Sequence, residues 1–78
     1  MSKKIPPMSS QELVKILNQG NARFVRQSGT SHAIFEREKD GRTYRAPVIM
    51  AKRDLSSKYV KLVLRQLGFT DIEVDALI

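Results

Sequence analysis

The chain has 78 residues, no cysteine and no apolar run near the roughly 20 residues that a membrane-spanning helix needs, which argues against disulfides, CxxC zinc sites and membrane insertion. All 14 lysines and arginines lie in residues 1–69, where they outnumber 5 acidic residues and give a net charge of +9. Such a charge attracts polyanions, and nucleic acid is the commonest of these in a cell. A small, soluble, basic domain is expected.

The N-terminal segment MSKKIPPMSS carries two lysines but no apolar stretch behind them, so it does not have the form of a secretory signal. No export is expected, and the absence of cysteine also fits a reducing compartment. We therefore expect a cytoplasmic protein in which residues 1–7 form a flexible N-terminus and residues 8–78 form a single domain.

The segment SSQELVKILNQG is predicted to form the first helix. Ser9 stands three residues before Glu12, which is the spacing of a capping box, and Gly20 is expected to end the helix in the left-handed conformation. The helical period places three apolar side chains on one face: Leu13, Ile16 and Leu17. This face is expected to contact the core.

Three short strands are predicted to follow the first helix. The sequence period changes to two from residue 22, and further strands are predicted over residues 32–37 and 43–48. Gly29 and Thr30 mark a tight turn, and Asp40 with Gly41 is a strong signal for a two-residue hairpin turn. The three strands should form an antiparallel meander.

The predicted hairpin determines which side chains share a face of the sheet. Counting outward from the turn places Phe35 opposite Ala46 and Glu36 opposite Arg45. The apolar pair then faces the helices, because alternate residues of a strand point to opposite faces. His32 falls on the other, open face of the sheet.

The segment SSKYVKLVLRQLGF is predicted to form the second helix, capped by Ser56 or Ser57 and ended by Gly68. Its apolar stripe consists of Val60, Val63, Leu64 and Leu67. Thr70 and Glu73 repeat the capping-box spacing at the start of a short C-terminal helix. The predicted fold is α+β, with the order α-β-β-β-α, a three-stranded antiparallel sheet and a short C-terminal helix.

The aromatic residues of this small sheet are interpreted as core residues rather than as surfaces for base stacking: Phe24, Phe35, Tyr44 and Phe69. Three apolar residues of the acidic C-terminal segment are also expected to pack against the second helix: Ile72, Leu77 and Ile78. This segment is therefore not predicted to act as a brake on function.

The only histidine of the chain, His32, directly follows the turn between the first two strands. A lone histidine is more often an ordinary polar residue, but its neighbours favour a chemical role. Gly29 permits close backbone approach, and Thr30 and Ser31 offer hydroxyls and amides that can hold a phosphate. An imidazole beside such a turn can remove the proton of an RNA 2′-hydroxyl, so the turn is a candidate site of RNA cleavage.

Four cations are candidates for holding the RNA backbone. Arg26 and Arg45 are predicted to share the sheet with His32, where a cation would stabilise a charged phosphorane. Lys52 and Arg53 lie in a basic loop over residues 49–56 and either bind phosphate or only keep the surface solvated. Arg45 has an alternative role, which is to form an ion pair with a glutamate across the strands.

No cluster of carboxylates or histidines with the spacing of metal ligands occurs in the sequence. Glu36 and Glu38 lie two residues apart on one predicted strand, with no further metal-ligating side chain expected beside them. Because divalent metals need several oxygen or nitrogen ligands, we expect cleavage to need no metal and no other cofactor.

The segment RQSGTSHAIF resembles the glycine-serine-histidine segment of the HicA-type mRNA interferase toxins. The resemblance continues from SSQELVKILNQG through DGRTYRAPV to LSSKYVKLVLRQLGF, and only the first seven residues lie outside it. It implies a fold like the double-stranded-RNA-binding domain and an endoribonuclease of mRNA with His32 as its catalytic residue. It also implies inhibition by a partner antitoxin of the HicB type.

Two features depart from the pattern of that family. The turn reads Gly-Thr-Ser-His instead of the shorter Gly-Ser-His, and APVIMAKRDLS lacks the histidine that many relatives place after the proline of the third strand. A second role in proton transfer would therefore fall to a lysine or to water, or an arginine would act in its place purely as a cation.

Two other functions stay open from the sequence. The first is a non-catalytic RNA-binding module of the same fold, which would follow duplex RNA by its shape. The second is an interaction protein whose basic surface contacts an acidic partner. RNA binding without any cleavage would favour the first, and no RNA affinity at low salt would favour the second.

Overall fold

A computed structural model describes residues 4–29 and 31–78 of the chain. The elements are α1 (Ser10–Gln19), β1 (Arg23–Ser28), β2 (His32–Lys39), β3 (Arg42–Ile49), α2 (Ser57–Gln66) and α3 (Asp71–Leu77). This is the predicted α+β fold, with its three-stranded antiparallel sheet and short C-terminal helix. The prediction of a flexible N-terminus falls partly on residues 1–3, which lie outside the described residues.

Helix α1 begins at the predicted capping box. The Glu12 amide donates to the Ser9 hydroxyl at 3.2 Å, and the Ser9 amide donates to the Glu12 carboxylate at 3.0 Å. The predicted left-handed conformation of Gly20 is wrong, because its φ is −90° and the residue with positive φ is Asn21. Glycine is needed at position 20 for space instead, since a Cβ there would overlap the ring of Phe69.

The sheet has the strand order β1-β2-β3, and both neighbouring pairs are antiparallel. The predicted register is confirmed, because Phe35 lies opposite Ala46 and Glu36 lies opposite Arg45. Strands β2 and β3 extend beyond the predicted ranges. One extra residue, Val25, interrupts the pairing of β1 with β2 and forms a bulge near the middle of the outer strand.

The two later helices also begin at predicted caps. Ser56 is the N-cap of α2, and its side chain accepts from the Tyr59 amide at 3.2 Å, so the first of the two candidate serines is the cap. Thr70 and Glu73 form the predicted capping box of α3. These local interactions set where both helices start.

Helices α1 and α2 pack against one face of the sheet, and buried residues of the helices and of the sheet form one core. This core includes Leu13, Leu17, Ala33, Phe35, Ala46, Val48, Val60, Val63, Leu64 and Leu67. Phe35 and Phe69 are buried and Tyr44 is partly buried, as predicted. The other face of the sheet, which we call the open face, carries His32 and its neighbours.

Two predicted core residues are exposed. Phe24 is 53% exposed, because it lies on the outer strand β1 and its ring meets Phe35 only edge-on, with the ring centroids 6.1 Å apart. Ile72 is 82% exposed, because α3 turns another side toward the core, through Val74 and Leu77. Both predictions of burial are therefore wrong, whereas Leu77 and Ile78 are partly buried against the core.

A buried arginine attaches α3 to the sheet, which the sequence did not predict. Arg37 is 6% exposed, and its guanidinium donates to the carbonyl oxygens of Gly20 (3.0 Å) and Leu67 (3.2 Å) and to the Glu73 carboxylate. The guanidinium carbon also lies 3.9 Å from the centroid of the Phe69 ring. Because a buried charge is tolerated only when it is paired, this network fixes the acidic C-terminal helix in place.

Candidate active site and nucleic-acid interface

His32 is the first residue of β2 and lies at one end of the sheet. It pairs with Ser28 on β1 and with Ile49 on β3, so both outer strands flank it. Its side chain is partly exposed on the open face, as predicted. No group in the described part of the chain, which does not include the Ser28 side chain, forms a hydrogen bond or ion pair with the imidazole, so the partly exposed ring can contact a ligand.

The turn before His32 is held to the end of the sheet through its backbone. Gly29 has a φ of +71°, a conformation that side chains disfavour, although a Cβ there would meet nothing within 4 Å. The Ser31 carbonyl accepts from the Met50 amide at 2.7 Å, and the Ser31 side chain is exposed. Thr30, the third turn residue predicted to hold phosphate, lies outside the described residues.

The loop after β3 is fixed by the first residue of α1. Ser10 is 2% exposed, and its hydroxyl donates to the Ile49 carbonyl at 2.7 Å and accepts from the Lys52 amide at 3.1 Å. The Ser10 amide in turn donates to the Lys52 carbonyl at 2.8 Å. The backbone of the loop is thus held beside the end of β3 that pairs with His32, while the Lys52 and Arg53 side chains are exposed.

A cavity of about 240 Å³ lies where the loop meets α1. Its lining consists of Ser9, Ser10, Gln11, Ala51, Lys52 and Arg53. Since β3 ends at Ile49, directly opposite His32, this basic concave surface adjoins the same end of the sheet as the imidazole. The structure therefore brings His32, the glycine turn and the Lys52 loop to one end of the molecule.

Arg26 is a second cation at this end of the open face. It pairs with Ile34, which lies on the same face as His32, and it is exposed. Along β1 it stands two residues from the partner of His32, which corresponds to about 7 Å. No carboxylate among the described residues forms an ion pair with Arg26, so its charge is available to a polyanion.

Arg45 lies farther from the imidazole than Arg26 does. It is opposite Glu36, four residues along β2 from His32, and this spacing corresponds to about 13 Å. Its Nε donates to Glu36 Oε2 at 2.8 Å, which confirms the alternative role of an ion pair across the strands. Arg45 is therefore on the predicted face but is not brought to the end that carries His32.

Glu36 binds two arginines, and one of them is Arg45, its predicted neighbour across the strands. Arg23 Nη2 donates to Glu36 Oε1 at 2.5 Å and lies 3.5 Å from Glu38 Oε1. The hydrogen bond from Arg45 is the main reason that the pKa of Glu36 is lowered, and Arg23 adds to the effect. The Glu36 side chain is 9% exposed beneath these guanidinium groups.

Arg23 is a cation of the open face that the sequence prediction missed. The only sequence signal for its place on the open face was its position one residue after Ala22, where the period of two begins. Alternation alone does not distinguish the two faces of an outer strand.

Among the described residues no group of three or more histidine, aspartate or glutamate side chains could hold a metal ion. None of their helices is long and apolar enough to cross a membrane.

These features define a small α+β domain with an accessible imidazole and unpaired cations at one end of an open sheet face. The family model of the HicA toxin of bacterial toxin-antitoxin systems matches residues 10–69, which include all the predicted site residues. The chain therefore belongs to the HicA toxin family, and membership implies a partner antitoxin. No curated protein and no solved structure is a match for the chain.

Proposed function

We propose that this toxin is an endoribonuclease that cleaves mRNA in the cytoplasm and uses His32 as its catalytic residue. The observation that carries the proposal is the accessible imidazole of the only histidine, at the end of a basic sheet face. Membership in the HicA toxin family supports the proposal, because the matched region includes the turn and both neighbouring strands.

In this mechanism His32 is the general base that removes the proton of a ribose 2′-hydroxyl. The freed oxygen attacks the neighbouring phosphorus, and Arg26 stabilises the negative charge that develops on the phosphate oxygens. The leaving 5′-oxygen takes a proton from Lys52 or from water, since the chain has no second histidine. No step uses a metal, so cleavage should persist when divalent cations are chelated.

RNA is held, in this proposal, by the turn and by the cations around it. The scissile phosphate approaches the backbone closely at Gly29 and contacts the amides and hydroxyls of Thr30 and Ser31. The flanking phosphates contact Lys52 and Arg53 on one side of the turn and Arg45 farther along the open face. The net charge of +9 over residues 1–69 supports this assignment, because phosphate neutralisation dominates the affinity of proteins for nucleic acid.

Control of the toxin is assigned to an antitoxin of the HicB type that covers the open face and the His32 turn. Covering one imidazole is sufficient to silence a site that has no second histidine. The antitoxin should present acidic or hydrogen-bonding groups to Arg26 and to the Lys52 loop, because burying these cations unpaired would cost several kcal/mol, on the order of 3–5.

Growth of bacteria that express the chain without an antitoxin tests this function. We expect growth to stop with the natural sequence and to continue with His32→Ala. Gln27→Ala is the matched control, because Gln27 is exposed on the same outer strand but pairs with Ala33 on the helix-facing side. A His32→Ala protein that is as abundant and as toxic as the control would refute the catalytic assignment.

A further inference from the structure

The two outer edges of the sheet differ in how their backbone groups are satisfied. On the β3 edge Pro47 has no N–H group, and the Tyr59 hydroxyl accepts from the Ile49 amide at 3.0 Å and donates to the Pro47 carbonyl at 3.3 Å. Within residues 4–29 and 31–78 nothing comparable hydrogen-bonds to the outer edge of β1. This edge therefore presents unpaired backbone N–H and C=O groups.

The side chains of β1, the strand at this open edge, differ between the two faces of the sheet. Phe24 pairs with Phe35 and lies on the helix-facing side, where it is nevertheless 53% exposed. Val25, at the bulge, is 41% exposed. Arg26 lies on the opposite side and has no ion-pair partner among the described residues. A strand added here would meet apolar surface on one side of the sheet and an unpaired cation on the other.

We propose that β1 accepts a fourth strand from the antitoxin, and that this strand alternates apolar and acidic residues. Main-chain hydrogen bonds to the open edge would supply affinity, and the alternating side chains would supply specificity. An apolar residue would pack beside Phe24, and an acidic residue on the other side would pair with Arg26. The inference rests on the proposed control by an antitoxin but not on the chemistry of His32.

A second copy of this chain fits the open edge poorly. Pairing β1 with β1 would gather Arg23 and Arg26 of both copies along one junction, and like charges on neighbouring strands destabilise a sheet. The same arginines favour an acidic strand. They thus protect the edge from self-association without closing it to a partner of opposite charge.

The added strand would dock the antitoxin without covering the imidazole itself. Neighbouring strands lie about 5 Å apart, so the fourth strand would be about 10 Å from β2, which begins at His32. The rest of the antitoxin would then cover the open face from this anchored edge. Loss of the edge contact should therefore weaken binding of the antitoxin while leaving the activity of the free toxin unchanged.

Hydrogen exchange of the toxin alone and in complex with its antitoxin tests the edge directly. We expect outward-facing amides of residues 24–27 to exchange at least about tenfold more slowly in the complex. A complex that forms while these amides exchange as they do in the free toxin overturns the proposal, wherever else protection is found.

A charge substitution provides the second test. Phe24→Lys should raise the Kd for the antitoxin by about tenfold, whereas Leu62→Lys, a control on α2 that is 51% exposed, should leave it within about twofold. Thermal unfolding checks that both variants fold, and RNA cleavage without antitoxin should be equal in both. Equal antitoxin affinity of the two folded variants overturns the proposal, and if Phe24→Lys does not fold, the exchange measurement decides alone.

Discussion

Replacing Arg37 with leucine should destabilise the domain strongly, although Arg37 lies outside the proposed site. The change leaves the buried carbonyl oxygen of Leu67 and the partly buried one of Gly20 without their donor, and a buried acceptor left unpaired costs about 1–3 kcal/mol. The Glu73 side chain is 31% exposed and keeps its bond to Lys39, so water replaces much of the lost ion pair. We expect the free energy of unfolding to fall by about 3 kcal/mol, which corresponds to roughly 12–24 °C in Tm.

Urea and thermal unfolding followed by circular dichroism measure this effect. Arg42→Leu is the matched control, because it removes the same charge from an exposed residue that has no ion pair in the described part of the chain. Its free energy of unfolding should stay within about 0.5 kcal/mol of the natural protein. Free energies of unfolding of Arg37→Leu and Arg42→Leu within about 1 kcal/mol of each other would show that the buried network contributes no more than an exposed charge.

Burial alone would raise the pKa of Glu73, but hydrogen bonds from Lys39, the Thr70 amide and Arg37 lower it to about 2. The contribution of Glu73 to stability is thus complete above about pH 4.5 and is lost as the pH falls toward 2. The free energy of unfolding of Glu73→Gln should therefore depend less on pH over that range than that of the natural protein. Alanine at both Lys52 and Arg53 should lower the slope of log affinity against log salt by about 1.4 for single-stranded RNA, measured by fluorescence anisotropy. Glu36→Gln should strengthen RNA binding in the same assay, because it frees two arginines, and weaker binding would contradict this.

The strand register and the helix starts were predictable because short-range rules determine them. A two-residue Asp40 and Gly41 turn fixes the pairing of β2 with β3, and this placed His32 on the open face. Capping boxes likewise set the starts of α1 and α3 through bonds three residues apart. The resemblance of the turn segment to HicA toxins agreed with the family match over residues 10–69.

The missed features depend on how distant elements pack. Burial of Phe24 on the outer strand depends on how far the helix layer extends, and the local sequence does not contain that information. Arg37 follows the alternation that points into the core, where a charge is unexpected unless a partner is present, and Glu73 arrives only when α3 docks. The distance between Arg45 and His32 follows from the predicted register itself, since four residues along a strand span about 13 Å.

Cleavage of a defined RNA oligonucleotide by the purified toxin, with a metal chelator present, tests the central claim most directly. We predict that the natural protein cuts the RNA, that it leaves the same oligonucleotide intact when the 2′-hydroxyl at the cut site is replaced by hydrogen, and that His32→Ala is slower by about 10²–10⁴-fold. Equal affinity of both proteins for the uncut RNA would show that the imidazole acts in the chemical step. Cleavage by His32→Ala at the rate of the natural protein, or RNA binding by both proteins without any cleavage, would contradict the account.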